Sequence, residues 1–162
     1  MFQIIKKTFR PSLPARVYRS LARIPPLQWT ANAVIRSLIP KKKDLPEGVL
    51  FLNQSDVAVS AQIAYGLFEK RELELFRNAI KPGMTVVDIG ANIGLYTVIA
   101  ARLAGPSGKV FAYEPEPINF GLLKRNISAN ALINVIFSDV AVAEKAGEKT
   151  LYLDMHNKGS HS

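Results

Sequence analysis

From Met84 to Phe137 the chain alternates two kinds of apolar patterning. Short unbroken runs, MTVVDI at 84–89, Val110 to Tyr113 and Val135 to Phe137, are rich in β-branched residues and predict strands. The first run shows no polar alternation, so it reads as a central parallel strand covered on both faces. Between the runs the apolar period becomes helical. Leu95, Val98, Ile99 and Leu103 fall on one face of a helix predicted over Asn92 to Ala104 and stopped by Gly105-Pro106-Ser107-Gly108. Pro117 suits the first turn of a second helix, Ile118 to Ala129. Strand alternating with helix predicts βαβ units, right-handed crossovers and an α/β fold with a parallel sheet and flanking helices.

Upstream the pattern is less regular. Val49 to Leu52 reads as a short strand, and from Ser55 a helical pattern begins, with Ser55 or Ser60 as caps and Leu67, Phe68, Leu73, Phe76 and Ile80 as apolar positions. Lys41 to Gly48 (KKKDLPEG) reads as a polar junction, and Pro82-Gly83 as a turn. Downstream, Ala141-Val142 and a turn at Gly147 precede a fourth strand expected at Thr150 to Asp154. Three parts follow: an amino-terminal arm, 1–48; a helical lead-in, 49–81; and the strand–helix unit, 82–162.

Composition adds exclusions. With 48% hydrophobic and 21% charged residues, the 162-residue chain has the balance of a folded protein, one domain or part of a larger one. The absence of Cys removes disulfides, thiolate metal sites and thiol nucleophiles, and two histidines, His156 and His161, make no His-based metal cluster, so no metal is expected. The net charge of +8 is uneven: residues 1–43 carry ten Lys or Arg and no acid, while the rest carries 11 bases against 13 acids. The basic character therefore belongs to the arm, whose residues 1–43 are broken into short pieces by five prolines. A packing arm with solvated bases is the favoured reading. A weak membrane-surface contact through apolar faces of Phe2, Ile4, Ile5 and Phe9 and later Val17, Leu21 and Ile24, and an organelle transit peptide, are the alternatives. No apolar run reaches 18 residues and no secretory signal is recognisable, so a cytoplasmic protein, peripheral to a membrane at most, is expected. The sequons at Asn53 and Asn126 then read as chance matches.

Candidate chemistry centres on VVDIGANIGLYT, Val86 to Thr97. Asp88, Gly90 and Gly94 form a DxGxxxG spacing where a strand turns into a helix. Gly90 would let the main chain approach a ligand, Gly94 would let the helix sit tight on the strand, and Asp88 could orient an ammonium directly or through water. A turn that merely needs its glycines is the rival reading. Glu114, 20 residues beyond Gly94, ends the next strand, where an acid accepts ribose hydroxyls in nucleotide-binding units. Ser138, Asp139 and Val140 end the third strand and could meet an adenine, although Asp139 could equally cap a turn. Asn92 and Leu95 break the GxGxxG dinucleotide pattern, no Walker loop is present, and Asp88 would repel a pyrophosphate but suits an ammonium.

On these residues the segment KPGMTVVDIGANIGLYT, Lys81 to Thr97, resembles the cofactor signature of the FkbM family of S-adenosylmethionine-dependent methyltransferases. GLFEKREL, FAYEPEP and NVIFSDVAVAEKAGEKTLYL are similar to the segments around it, so the resemblance runs from Ser55 onward. It implies a Rossmann-like class I methyltransferase fold with S-adenosyl-L-methionine as cofactor. Asp88, Gly90, Ala91, Asn92 and Gly94 would surround the methionine portion, Glu114 the ribose, and Asp139 and Val140 the adenine, with Glu69 closing over the methionine end. The implied acceptor is an oxygen on a sugar or small metabolite; the residue that would act catalytically is not identified. Family members continue with a strand bearing a D-[VIL]-E-G-like motif and further strands, whereas this chain ends in MHNKGSHS. The carboxyl-terminal half of the sheet is therefore expected to be missing, leaving the 84–89 strand as an apolar edge and the chain marginally stable. Two rivals are a non-catalytic truncated chain and an RNA methyltransferase using the basic arm. The sequence disfavours a nucleic-acid partner and leaves the oligomeric state open.

Overall fold

The computed structural model describes residues 33–150 apart from 57 and 149. Contacts within the chain separate residues 1–35 from 36–162, and every element below lies in the second unit. The readings made for the arm before residue 33, and the strand expected at Thr150 to Asp154 beyond its first residue, lie outside the described residues.

The stretch read as a polar junction supplies a strand. β1 (Lys42–Leu45) and β2 (Gly48–Phe51) form an antiparallel hairpin with Lys42 opposite Phe51 and Leu45 opposite Gly48. Leu50 anchors it with a fully buried side chain. Two helices follow, α1 (Ser60–Ala64) and α2 (Lys70–Ala79). Neither serine proposed as a cap serves as one: the Asp56 carboxylate accepts the Ala58, Val59 and Ser60 amides at 2.9–3.1 Å, while the buried Ser60 hydroxyl accepts the Asn53 amide. A carboxylate with two oxygens can serve three amides, which a hydroxyl cannot.

The remainder is the expected alternation: β3 (Thr85–Ile89), α3 (Leu95–Ala104), β4 (Lys109–Tyr113), α4 (Pro117–Ala129) and β5 (Val135–Ser138). The three strands are parallel in the order β3-β4-β5. Helix α3 starts three residues later than the apolar period suggested, because Asn92 and Gly94 adopt positive φ. Pro117 opens α4 as expected, and the Glu116 side chain caps it by accepting the Asn119 amide at 2.6 Å. Val110 and Ala112 of β4, Val98 to Ala100 and Ala104 of α3, and Leu123 of α4 are wholly buried and form the core.

The expectation for β3 also fails. β3 is not covered on both faces: Val87 is 57% exposed and Ile89 61%. Only the face carrying Val110 and Ala112 is deeply buried, and β3 has a single neighbour, so it is the edge of this sheet among the described residues, as the resemblance implied. No described helix is long and apolar enough to cross a membrane.

Two asparagines bind the hairpin to the strand–helix unit. Leu123, Asn126, Ile127 and Asn130 fall at i, i+3, i+4 and i+7 along one stripe of α4 and its cap, and all four are buried. The Asn126 amide accepts the Phe51 N–H at 2.6 Å and donates to the Phe51 carbonyl at 3.1 Å and the Ile93 carbonyl at 2.7 Å. Asn130 treats Val49 likewise, accepting its N–H at 2.8 Å and donating to its carbonyl at 2.6 Å. The side chains thus mimic a neighbouring strand along the edge of β2. Both sequon asparagines are buried, Asn126 completely.

Candidate functional site

The register of the sheet brings three strand ends together. Ile89, Tyr113 and Ser138 lie abreast, so Gly90, Glu114 and Asp139 leave the sheet side by side at its carboxyl edge. The turn is fastened there: the Gly90 and Ala91 amides both donate to the Tyr113 carbonyl, at 2.9 and 3.0 Å, and the Glu114 amide donates to Ser138 at 3.1 Å. Open carboxyl ends of parallel strands are where such folds receive ligands.

Each glycine of the turn has its own reason. Gly90 sits at φ +76°, and a Cβ there would meet nothing within 4 Å, so the space beside this main chain is open to a ligand. Gly94 sits at φ +91°, and a Cβ there would lie 2.7 Å from Leu123 Cδ1. The close packing it permits is therefore against α4, not against the strand as the spacing suggested. Asn92, at φ +52°, steadies the turn by accepting the Ile93 amide on its own Oδ1 at 2.7 Å.

Glu114 is buried at the hub of the turn. Its Oε2 accepts the Asn92 amide at 2.7 Å and its Oε1 accepts the Glu116 amide at 2.9 Å. A carboxylate offers about four lone-pair sites, so hydroxyl donors can still be received. Asp88 is half-buried and accepts the Thr97 hydroxyl at 2.5 Å. Burial pushes its carboxyl above the usual aspartate range; the Thr97 hydrogen bond opposes that shift, and the negative charge of Glu114 adds to it.

A cleft of about 310 Å³ opens beside the turn, with Phe68, Glu69, Gly90, Asn92, Leu95 and Tyr96 among its walls. That volume lies at the lower end of small-molecule sites, roughly 300–1,000 Å³. Glu69 precedes α2 at φ +35°, a left-handed conformation rare for this residue, and accepts the Tyr96 hydroxyl at 2.7 Å. The Tyr96 ring meets Phe76 edge-on at 4.9 Å. Burial, and then the Glu69 carboxylate, hold the Tyr96 phenol well above its ordinary range, so it is a donor at all physiological pH values.

Of the residues expected at the site, Gly90, Ala91, Asn92 and Glu69 line this cleft. Asp88 and Glu114 stand behind the turn as its supports. Gly94 is buried in packing, and Asp139 and Val140 are exposed after β5, outside the cleft walls. Sequence reasoning missed Tyr96, Thr97 and Asn126. The signal for Thr97 and Asn126 was a polar residue on an otherwise apolar helix stripe; nothing in the sequence marked Tyr96.

No family model matches the chain. Over 77 residues it is 35% identical to the 31-O-demethyl-FK506 methyltransferase FkbM of Streptomyces tacrolimicus, covering 46% of this chain and 29% of that protein. Over 60 residues it is 38% identical to TRM61, catalytic subunit of the tRNA (adenine(58)-N(1))-methyltransferase of Yarrowia lipolytica, covering 37% of this chain and 15% of that one. A solved SAM-dependent O-methyltransferase of Thermotoga maritima aligns with 68% of this chain and 53% of its own, at 21% identity and a TM-score of 0.45. Part of the chain is thus similar to methyltransferases, and it spans less than a third of either curated relative.

Proposed function

We propose that residues 82–162 are the S-adenosylmethionine-binding half of a methyltransferase of the FkbM type, with residues 49–81 as its lead-in and 1–48 as a basic arm. The carrying observation is an open glycine turn fastened to a buried acid at the next strand end, Gly90 beside Glu114. When bound, S-adenosylmethionine supplies an activated methyl group on a sulfonium. The residues fit such a group: the cleft beside Gly90 is largely apolar, and two acids, Asp88 and Glu114, sit at the turn where a pyrophosphate would be repelled. Asp88, Gly90, Ala91, Asn92 and Gly94 would hold the methionine portion, Asp88 acting from behind the turn. Glu114 would take the ribose hydroxyls while keeping Asn92 in place, and Asp139 and Val140 would border the adenine. Phe68, Leu95 and Tyr96, which line the cleft, would shield the reacting end from water, and transfer would then depend chiefly on positioning.

The acceptor in this reading is an oxygen of a sugar or small metabolite, and the compartment is the cytoplasm. A second reading has one observation in its favour: the likeness to TRM61 together with ten bases in residues 1–43 suits an RNA acceptor. Thermal denaturation with S-adenosylhomocysteine, NAD or ATP at equal excess tests the cofactor. The expected result is a rise in midpoint with the first alone; a larger rise with NAD or ATP overturns it. RNA binding that weakens steeply with salt, and is lost on deleting residues 1–43, would favour the second reading.

A further inference from the structure

A second cleft, of about 210 Å³, shares Ile63, Phe68 and Leu95 with the first. It is larger than the ~150 Å³ apolar cavity that accommodates benzene. Leu45 and Leu73 complete an apolar floor, and the charged walls are all cationic: Lys43 from β1, and Lys70 and Arg77 from α2. No acid lines it. The three cations differ in availability. Arg77 is held by Glu47 through a bidentate pair, Nε to Oε1 at 2.6 Å and an outer guanidinium nitrogen to Oε2 at 3.1 Å. The side chains of Lys43, half-buried, and Lys70, exposed, make no hydrogen bond or ion pair among the described residues. The nearby acid Glu69 lines the other cleft, where Tyr96 engages it.

We propose that this second cleft is a binding site for a small molecule with a short hydrocarbon body and a terminal anion, a carboxylate or a phosphate. Its role as the acceptor-side subsite rests on the methyltransferase reading; the chemistry of its ligand does not. The apolar floor selects the hydrocarbon, since a wholly polar ligand would forfeit hydration against Leu45, Ile63 and Leu73. The unpaired ammonium groups select the anion, because charges beside a partly dehydrated cleft are screened less than in open water. A cationic head would meet the like charges of Lys43 and Lys70.

Isothermal titration of the full chain with octanoate, octyl phosphate, octanol and octylammonium tests this, with S-adenosylhomocysteine titrated in parallel. Octanoate or octyl phosphate is expected to bind one-to-one and more tightly than octanol, with octylammonium silent. Lys43→Met and Lys70→Met, which keep an apolar stem, are each expected to weaken the anion about two- to fivefold, the range for a partly exposed charge contact, and to leave octanol unchanged. Circular dichroism of both variants checks that the fold is kept. Anions binding no better than octanol, octylammonium binding equally, or lysine variants indistinguishable from the parent would overturn the proposal. Should S-adenosylhomocysteine fail while octanoate still binds, the methyltransferase reading falls and the anion cleft stands.

Discussion

At the scale of single residues, the turn depends on two carboxylates held in opposite ways. Glu114 has each oxygen engaged by one main-chain amide, whereas Asp88 has one short side-chain hydrogen bond, partial burial and a like charge nearby. A carboxyl whose folded-state pKa is raised binds its proton more tightly folded than unfolded. Its contribution to stability is therefore fully present below the unfolded value, about 3.9, and is lost as the pH rises through the folded value. Asp88→Asn keeps the acceptor for Thr97 and removes that titration. Urea unfolding should give a variant-minus-parent difference that is flat below about pH 4 and moves in favour of Asn as neutrality is approached. Parallel stability curves across that range would show that burial does not penalise the Asp88 charge.

At the scale of elements, the hairpin is tied to α4 by two side-chain amides that replace a strand. Asn126→Ala would leave the Phe51 N–H, its carbonyl and the Ile93 carbonyl without partners, at a cost of about 1–3 kcal/mol for each buried group. A loss near 3 kcal/mol in urea unfolding is expected, with faster hydrogen exchange at the Phe51 amide; Asn130→Ala should do the same at Val49 with a smaller loss. Exchange unchanged at both amides would mean that the hairpin stands without these bonds. The strands and helices from 84 to 138 were legible in the sequence because unbroken β-branched runs and a helical apolar period are local signals. The hairpin was not, since its half-exposed, lysine-rich first strand carries little apolar signal and its partners lie 75 and 81 residues away. The site was legible in part for the same reason. A local spacing announces Asp88, Gly90, Gly94 and Glu114, but Tyr96 and Glu69 meet only through packing of α2 on α3, 27 residues apart.

At the scale of the whole molecule, β3 has no second neighbour among the described residues. Met84 accepts from the Lys109 amide and the Gly90 amide donates to Tyr113, so Thr85, Val87 and Ile89 turn their main-chain groups to the open edge. The exposed side chains of Val87 and Ile89 add an apolar face to that edge, the combination that promotes association through strands. Sedimentation velocity should show mass rising with concentration for the parent and less so for Val87→Lys; a monomer at every concentration would contradict this. The site itself stands at the carboxyl ends of the strands, away from the sides of β3, so its ligand can be tested on the chain as it is. Isothermal titration with S-adenosylhomocysteine addresses the central claim most directly. One-to-one binding is predicted, weakened about tenfold or more by Glu114→Ala, the scale of losing hydrogen bonds to a charged group. The absence of binding by the folded parent, or equal affinity in the variant, would contradict it.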